Sequence, residues 1–193
     1  MSSSAEPYGA RPVGTLSANG SFSSKVRHYS IASGYATSIF YGDFVKLVAA
    51  GGVEKDAGTT TLTPVGIFLG CSYTDPNTSQ KTFSQMWTAS VAASDAVAYV
   101  LDDPDVLFEM QADGSGAQTV IGNNVAVVQT AGSTSIGTSK NAIDISTVAA
   151  TTATLPIRIV DISSKSGNTA GDSYTDLVVK FNAGHIMRNT TGI

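Results

Sequence analysis

The chain has 193 residues and a net charge of −4, and charged residues make up only 13% of it, roughly half the share of an ordinary soluble domain. That balance gives no electrostatic reason to bind nucleic acid or an anionic membrane, and no apolar run approaches the roughly 20 residues that a membrane span needs. Met1–Glu6 does not read as a signal peptide, and the single cysteine, Cys71, excludes an intrachain disulfide and a thiolate zinc cluster, so synthesis in a reducing cytoplasm is expected.

Ser and Thr together number 46, Gly 19, Glu three and Leu eight. Helix formers are scarce, and β-branched and turn residues abound, which predicts an all-β chain with at most one or two short helices. Hydrophobic residues reach 42%, enough for a core without disulfides.

Residues 1–24 read as an extended N-terminal arm. They are rich in Ser, Gly and Pro and show no sustained periodicity. Spaced anchors nevertheless occur at Tyr8, Arg11, Pro12, Val13, Leu16 and Phe22. A solvated tail does not need them, whereas a segment that orders against a partner does.

Residues 25–193 read as a β-domain. Lys25–Ala32 alternates in part, and Gly42-Asp43 leads into the apolar strand Phe44–Val48. Gly51-Gly52 marks a hairpin, and Thr61–Tyr73 reads as the next strand, with Pro64 at its start or at an edge, where a missing N–H does no harm. Thr88–Asp103 is the best helix candidate by its alanines, but Val91, Val97, Tyr99 and Val100 also fit a strand pair around the Ala-Ser-Asp turn, and strands are the favoured reading. Asp102-Asp103-Pro104-Asp105 is a turn, and Val106–Met110 is a further strand.

An echo links the halves, between residues 41–70 and 121–162. Gly42-Asp43 and Gly122-Asn123 are each followed by one residue, a Val and an apolar strand. Later in each unit a Pro opens a strand, Pro64-Val65-Gly66 in the first and Pro156-Ile157 in the second. One reading is two related β halves; the other is a single barrel that reuses the same turn chemistry.

No catalytic set is legible. His28 and His185 have no sequence-local partner and read as surface or interface histidines. Counting from Asp102 as a calcium loop puts Pro104 at the third place and Leu107 at the sixth, so the pattern fails. Cys71 follows an apolar run and reads as a small buried hydrophobe. No cofactor and no metal is expected.

The run YGDFVKLVAAGGVEKDAGTTTLTPVGIFLG, residues 41–70, resembles the central motif of bacteriophage head decoration (capsid cement) proteins. There Gly-Asp leads into a valine strand, a Gly hairpin follows, and Pro-x-Gly-Ile opens the next strand; Gly42, Asp43, Pro64 and Gly66 match it. The opening YGARPVGTL and the ending VVKFNAGHIMRNTTGI look like those of small virion structural proteins of tailed phages. The resemblance implies a β-tulip or barrel-like domain on the outer capsid surface of a virion, made in the host cytoplasm. It implies an N-terminal arm laid over the major capsid protein, and self-association on the shell with a trimer favoured. The arm's Tyr8, Val13 and Phe22 would be apolar anchors, Arg11 would meet a capsid carboxylate, and Pro12 would hold the arm extended. The expectation is a non-enzymatic capsid cement. The alternative is a tail- or fibre-associated module that recognises a host glycan.

Overall fold

The computed structural model describes residues 4–16, 25–190 and 192–193. It is all-β, with two single-turn 3-10 helices at Gln118–Val120 and Ile186–Arg188. The first strands are β1 (Arg11–Thr15), β2 (Val26–Ser30), β3 (Ile39–Phe40), β4 (Phe44–Leu47), β5 (Val53–Lys55), β6 (Gly66–Thr74) and β7 (Lys81–Ser84). Then come β8 (Met86–Trp87), β9 (Val97–Leu101), β10 (Val106–Gln111), β11 (Asn124–Val128), β12 (Ala142–Ala149), β13 (Ile157–Ile162) and β14 (Asp176–Phe181). The alanine-rich stretch before β9 is not helical, but the expected strand pair does not form either: Val91 lies in no strand, and only the β-branched end after the Ser94-Asp95 turn enters a sheet, as β9.

Two sheets carry the body. One has the order β2-β9-β6-β4-β5, with β7 also pairing β6; the other has the order β1-β10-β14-β13-β11-β12. Every pairing between named strands is antiparallel. Without β1 and β7, the two sheets are the same object. The strands β2, β4, β5, β6, β9 and the strands β10, β11, β12, β13, β14 follow the same order along the chain and the same order in space.

The match extends to individual residues. Phe44 faces Ile67 and Val45 faces Gly66, as Asn124 faces Arg158 and Val125 faces Ile157. A register shift falls between Phe68 and Gly70 on β6, and at the same place between Ile159 and Asp161 on β13. Gly42 N–H donates to the Phe68 carbonyl (2.9 Å) and Phe68 N–H to the Asp43 carbonyl (2.9 Å). Gly122 and Ile159 repeat both bonds, at 2.9 Å and, toward Asn123, 3.0 Å. Gly42 and Gly122 both need positive φ, +87° and +85°, which glycine adopts at no steric cost.

The prolines, by contrast, are offset by one. The residue equivalent to Pro156 is Val65, whose N–H donates to the Val45 carbonyl at 2.8 Å. Pro156 has no N–H to make that bond, although both ladders register the same two residue pairs. Gly66 is required for a different reason: a Cβ there would stand 2.1 Å from the Leu101 carbonyl oxygen, a close approach that only glycine permits.

Each half buries one sheet face in its own core. Val45, Phe68, Val100, Ala98 and Trp87 belong to the first core, and Val125, Ile159, Val179 and Leu177 to the second. The opposite face of the first sheet, at Phe44, Ile67 and Leu101, joins the second core. Phe181 closes the seam, edge-on to Phe44 (6.0 Å between centroids) and to Phe108 (5.1 Å). The turn Asp102–Asp105 is one covalent link between the sheets: β9 and β10 flank it but lie in different sheets, as do β1 and β2.

Candidate interaction surface

Residues 4–16 are extended, as the sequence suggested, but they are laid on the chain's own body. Ala10 is fully buried, and β1 pairs with β10, placing Arg11 opposite Glu109. The boundary at residue 24 therefore does not divide arm from domain. Glu6 N–H donates to Gln111 Oε1 (2.8 Å), and Gln111 Nε2 donates to the Ser4 carbonyl (3.3 Å). Tyr8 Oη donates to Asp176 Oδ1 at 3.0 Å, with Arg11 4.5 Å and Lys165 5.4 Å from its ring centroid. Burial, then the Asp176 charge, holds the Tyr8 phenol far above its ordinary pKa, so it stays a donor.

Of the five arm residues singled out from sequence, Tyr8 and Arg11 are thus engaged within the chain. Pro12 sits half-buried in β1, which tolerates it as the outermost strand. Val13 is 47% exposed, and Leu16, just past the end of the strand, is 44% exposed. Phe22 lies outside the described residues. β1 and the residue after it thus present apolar side chains along a sheet edge that is free among the described residues.

Of the motif residues, Asp43 does the most. It is fully buried. Its Oδ1 accepts from Ser139 Oγ (2.6 Å) and Asn141 Nδ2 (3.2 Å), and its Oδ2 accepts from Phe40 N–H (3.0 Å) and Lys55 Nζ (2.9 Å). Ser139 and Asn141 belong to the second half, so one carboxylate pins the halves together. The N-terminal segment crosses the same junction: Gly9 N–H bonds the Asn141 carbonyl and Ala10 N–H the Gly42 carbonyl. Asn123, the equivalent residue, is half-buried, and among the described residues its Nδ2 donates to the Thr119 carbonyl.

The histidines lie in different surroundings. His28 is exposed on β2 and packs edge-on against Tyr99 at 4.9 Å. Tyr99 Oη donates to Ser72 Oγ (2.9 Å), and Ser72 pairs across the ladder with Phe83, which is 73% exposed. His28, Tyr99, Ser72 and Phe83 so form one row across four strands, exposed at its two ends, half-buried at Tyr99 and buried at Ser72. His185 corrects the sequence reading: it is 1% exposed, not a surface residue. Its Nδ1 accepts from Met187 N–H, and its Nε2 is buried with no hydrogen-bond partner among the described residues. Burial, helped by nearby Arg188, pulls its pKa down to about 4; Asp102, Asp103 and Asp105 act weakly in the opposite direction. The ring packs on Phe181, four residues earlier, but the segment around it is seated against Leu62 and Pro64, far back in the sequence, which no local pattern marks.

Cys71 is 1% exposed, and burial pushes its thiol up to about 12, which removes thiolate chemistry at neutral pH. Among the described residues no three His, Cys, Asp or Glu side chains gather as a metal site requires. No helix among them is long and apolar enough to cross a membrane.

The class of protein that this geometry defines is a two-lobed, all-antiparallel β body built from one five-stranded unit used twice. Compared with family models, with curated proteins and with solved structures, the chain matches none.

Proposed function

We propose that this chain is a non-enzymatic virion structural protein that binds the outer surface of a phage capsid and cements neighbouring capsid subunits. The resemblance of residues 41–70 to head decoration proteins motivates the reading, and one observation carries it. β1, an outermost strand, exposes Val13, and Leu16 just past its end is exposed too, beside an edge free among the described residues. Such a strand adds to a partner's sheet through backbone hydrogen bonds, with the apolar side chains setting register. The partner would be the major capsid protein, with copies of this chain associating on the shell, as a trimer in the favoured form. Many weak attachments tie the shell together, because opening it breaks several at once.

The experiment adds purified protein to heads that lack it. Deleting residues 2–20 is not a clean variant, because it removes β1 and the buried Ala10. The double substitution Val13→Asp, Leu16→Asp is cleaner, since both side chains are exposed. Occupancy should fall tenfold or more while the thermal midpoint of the free protein stays unchanged. Unchanged occupancy sinks the role of β1; failure of the wild-type protein to bind heads sinks the capsid reading.

A second reading, a tail- or fibre-associated module for a host glycan, is favoured by the row containing His28, Tyr99 and Phe83, exposed at its two ends, because sugars stack on exposed rings. Phe83→Ala should abolish any glycan-array signal and leave head binding intact.

A further inference from the structure

We infer that the free edge of β2 is a docking site for an extended, acidic segment of a partner protein, taken up as an added antiparallel strand. The molecule itself shows how such a site is used. By register, β2 in the first half is β10 in the second: Val26 through Ser30 lie against β9 as Leu107 through Gln111 lie against β14. In the second half the outer edge of this strand is covered by β1. In the first half the equivalent edge is the end of the sheet, and no described residue pairs with it. The same backbone geometry is therefore occupied once and open once.

Charge states which occupant fits. On β10, Glu109 faces the cation Arg11 of the added strand. The equivalent of Glu109 is His28, and Lys25 and Arg27 stand beside it. Arg27 is already paired with Asp102 (2.7 Å), whereas Lys25 and His28 are exposed. Lys25 and Arg27 outnumber the one acid, Asp102, that Arg27 meets, so the edge is net positive and repels a second copy of itself, which keeps the edges of two copies apart. The same cations attract a strand that carries Asp or Glu opposite them. Residues 17–24 of the chain contain no acid, so they do not supply the complement. The inference stands whether or not the partner is a capsid subunit.

Two synthetic peptides test it: an acidic β-former, Glu-Val-Glu-Thr-Glu-Val, and its counterpart with Lys in place of Glu. Fluorescence anisotropy should show the acidic peptide binding the full-length protein at least tenfold more tightly than the basic one. Amide exchange should slow at residues 26–30 when it binds. The variant Lys25→Glu, His28→Glu changes only exposed side chains and should invert the preference. Equal affinity for the two peptides overturns the inference, as does a preference that survives charge reversal. Exchange already slow across residues 26–30 in the free protein overturns it too, since the edge would then be covered by the chain's own residues. A homodimer by light scattering that dissociates in the variant overturns it in favour of a second copy.

Discussion

The two halves use one backbone plan for opposite purposes, and the row Phe44–Ile67–Leu101 shows it against Asn124–Arg158–Lys180. The residues of each row are paired across neighbouring strands, at equivalent positions. In the first half all three are fully buried because the second half lies on them. In the second half Arg158 and Lys180 are half-buried cations facing each other, and Arg158 Nε donates to Asn124 Oδ1 at 2.9 Å. Strand order and register survive the change of polarity. What lies on top of a sheet decides its side chains; the ladder beneath decides the architecture.

Exchanging residues between the rows gives the largest expected effect. Leu101→Lys places a charge in the seam with no counter-ion and should cost about 4 kcal/mol or more in urea unfolding, enough to threaten folding. A loss under about 1 kcal/mol would mean that the halves do not pack there. The junction carboxylate comes next. Asp43→Ala leaves Lys55 and three other donors without their acceptor and should cost about 3–5 kcal/mol. Asn123→Ala, its counterpart, should cost under about 1 kcal/mol, so equal losses would erase the distinction drawn between them.

The seam should also respond to pH. Ile186 N–H bonds the Pro64 carbonyl across it, beside buried His185. The folded-state pKa of His185 is about 4 against an ordinary 6.5, so between those values the unfolded chain binds the proton and the folded chain does not. The stability is complete above pH 6.5 and is lost as pH falls toward 4, by about 3 kcal/mol at most. His185→Gln should flatten that part of the profile relative to wild type; parallel profiles would rule His185 out as the cause. The smallest effect belongs to the reverse exchange. Lys180→Leu relieves the opposition to Arg158 and should shift the unfolding free energy by no more than about 0.5 kcal/mol, toward stability.

Much of the local plan was legible. Gly42-Asp43 and Gly122-Asn123 stand out because positive φ restricts the residue type, and Gly51-Gly52 marks the hairpin between β4 and β5 for the same reason. The five-strand extent of the repeat was not, since pairs such as Ile67 and Arg158 or His28 and Glu109 share a register position and nothing chemical. The proline match misled by one residue, because a proline near a strand start is favoured at several positions. The docking of residues 4–16 was hidden in composition: Gly9 and Ala10 look like linker residues, yet they are small because Gly42 and Ser139 press on them. Asp43 read as a turn residue; its role as a clasp depends on Ser139 and Asn141, far along the chain.

The reach of β1 across the fold carries a consequence for how the protein is made. Glu6 and Gln111 meet although 105 positions separate them, and Tyr8 meets Asp176 across 168. β1 therefore has no seat until β10 has been synthesised, and Tyr8 none until β14 has, at roughly 5–20 residues per second. The first half has every strand it needs by Leu101 and can form while the rest is still being made. The second half completes its sheet only when β14 emerges, and β1 then closes a loop of about a hundred residues, an entropic cost that grows only slowly with length. For several seconds of every synthesis the N-terminal strand is an unpaired edge carrying two apolar side chains, and its neighbours on a polysome carry the same one.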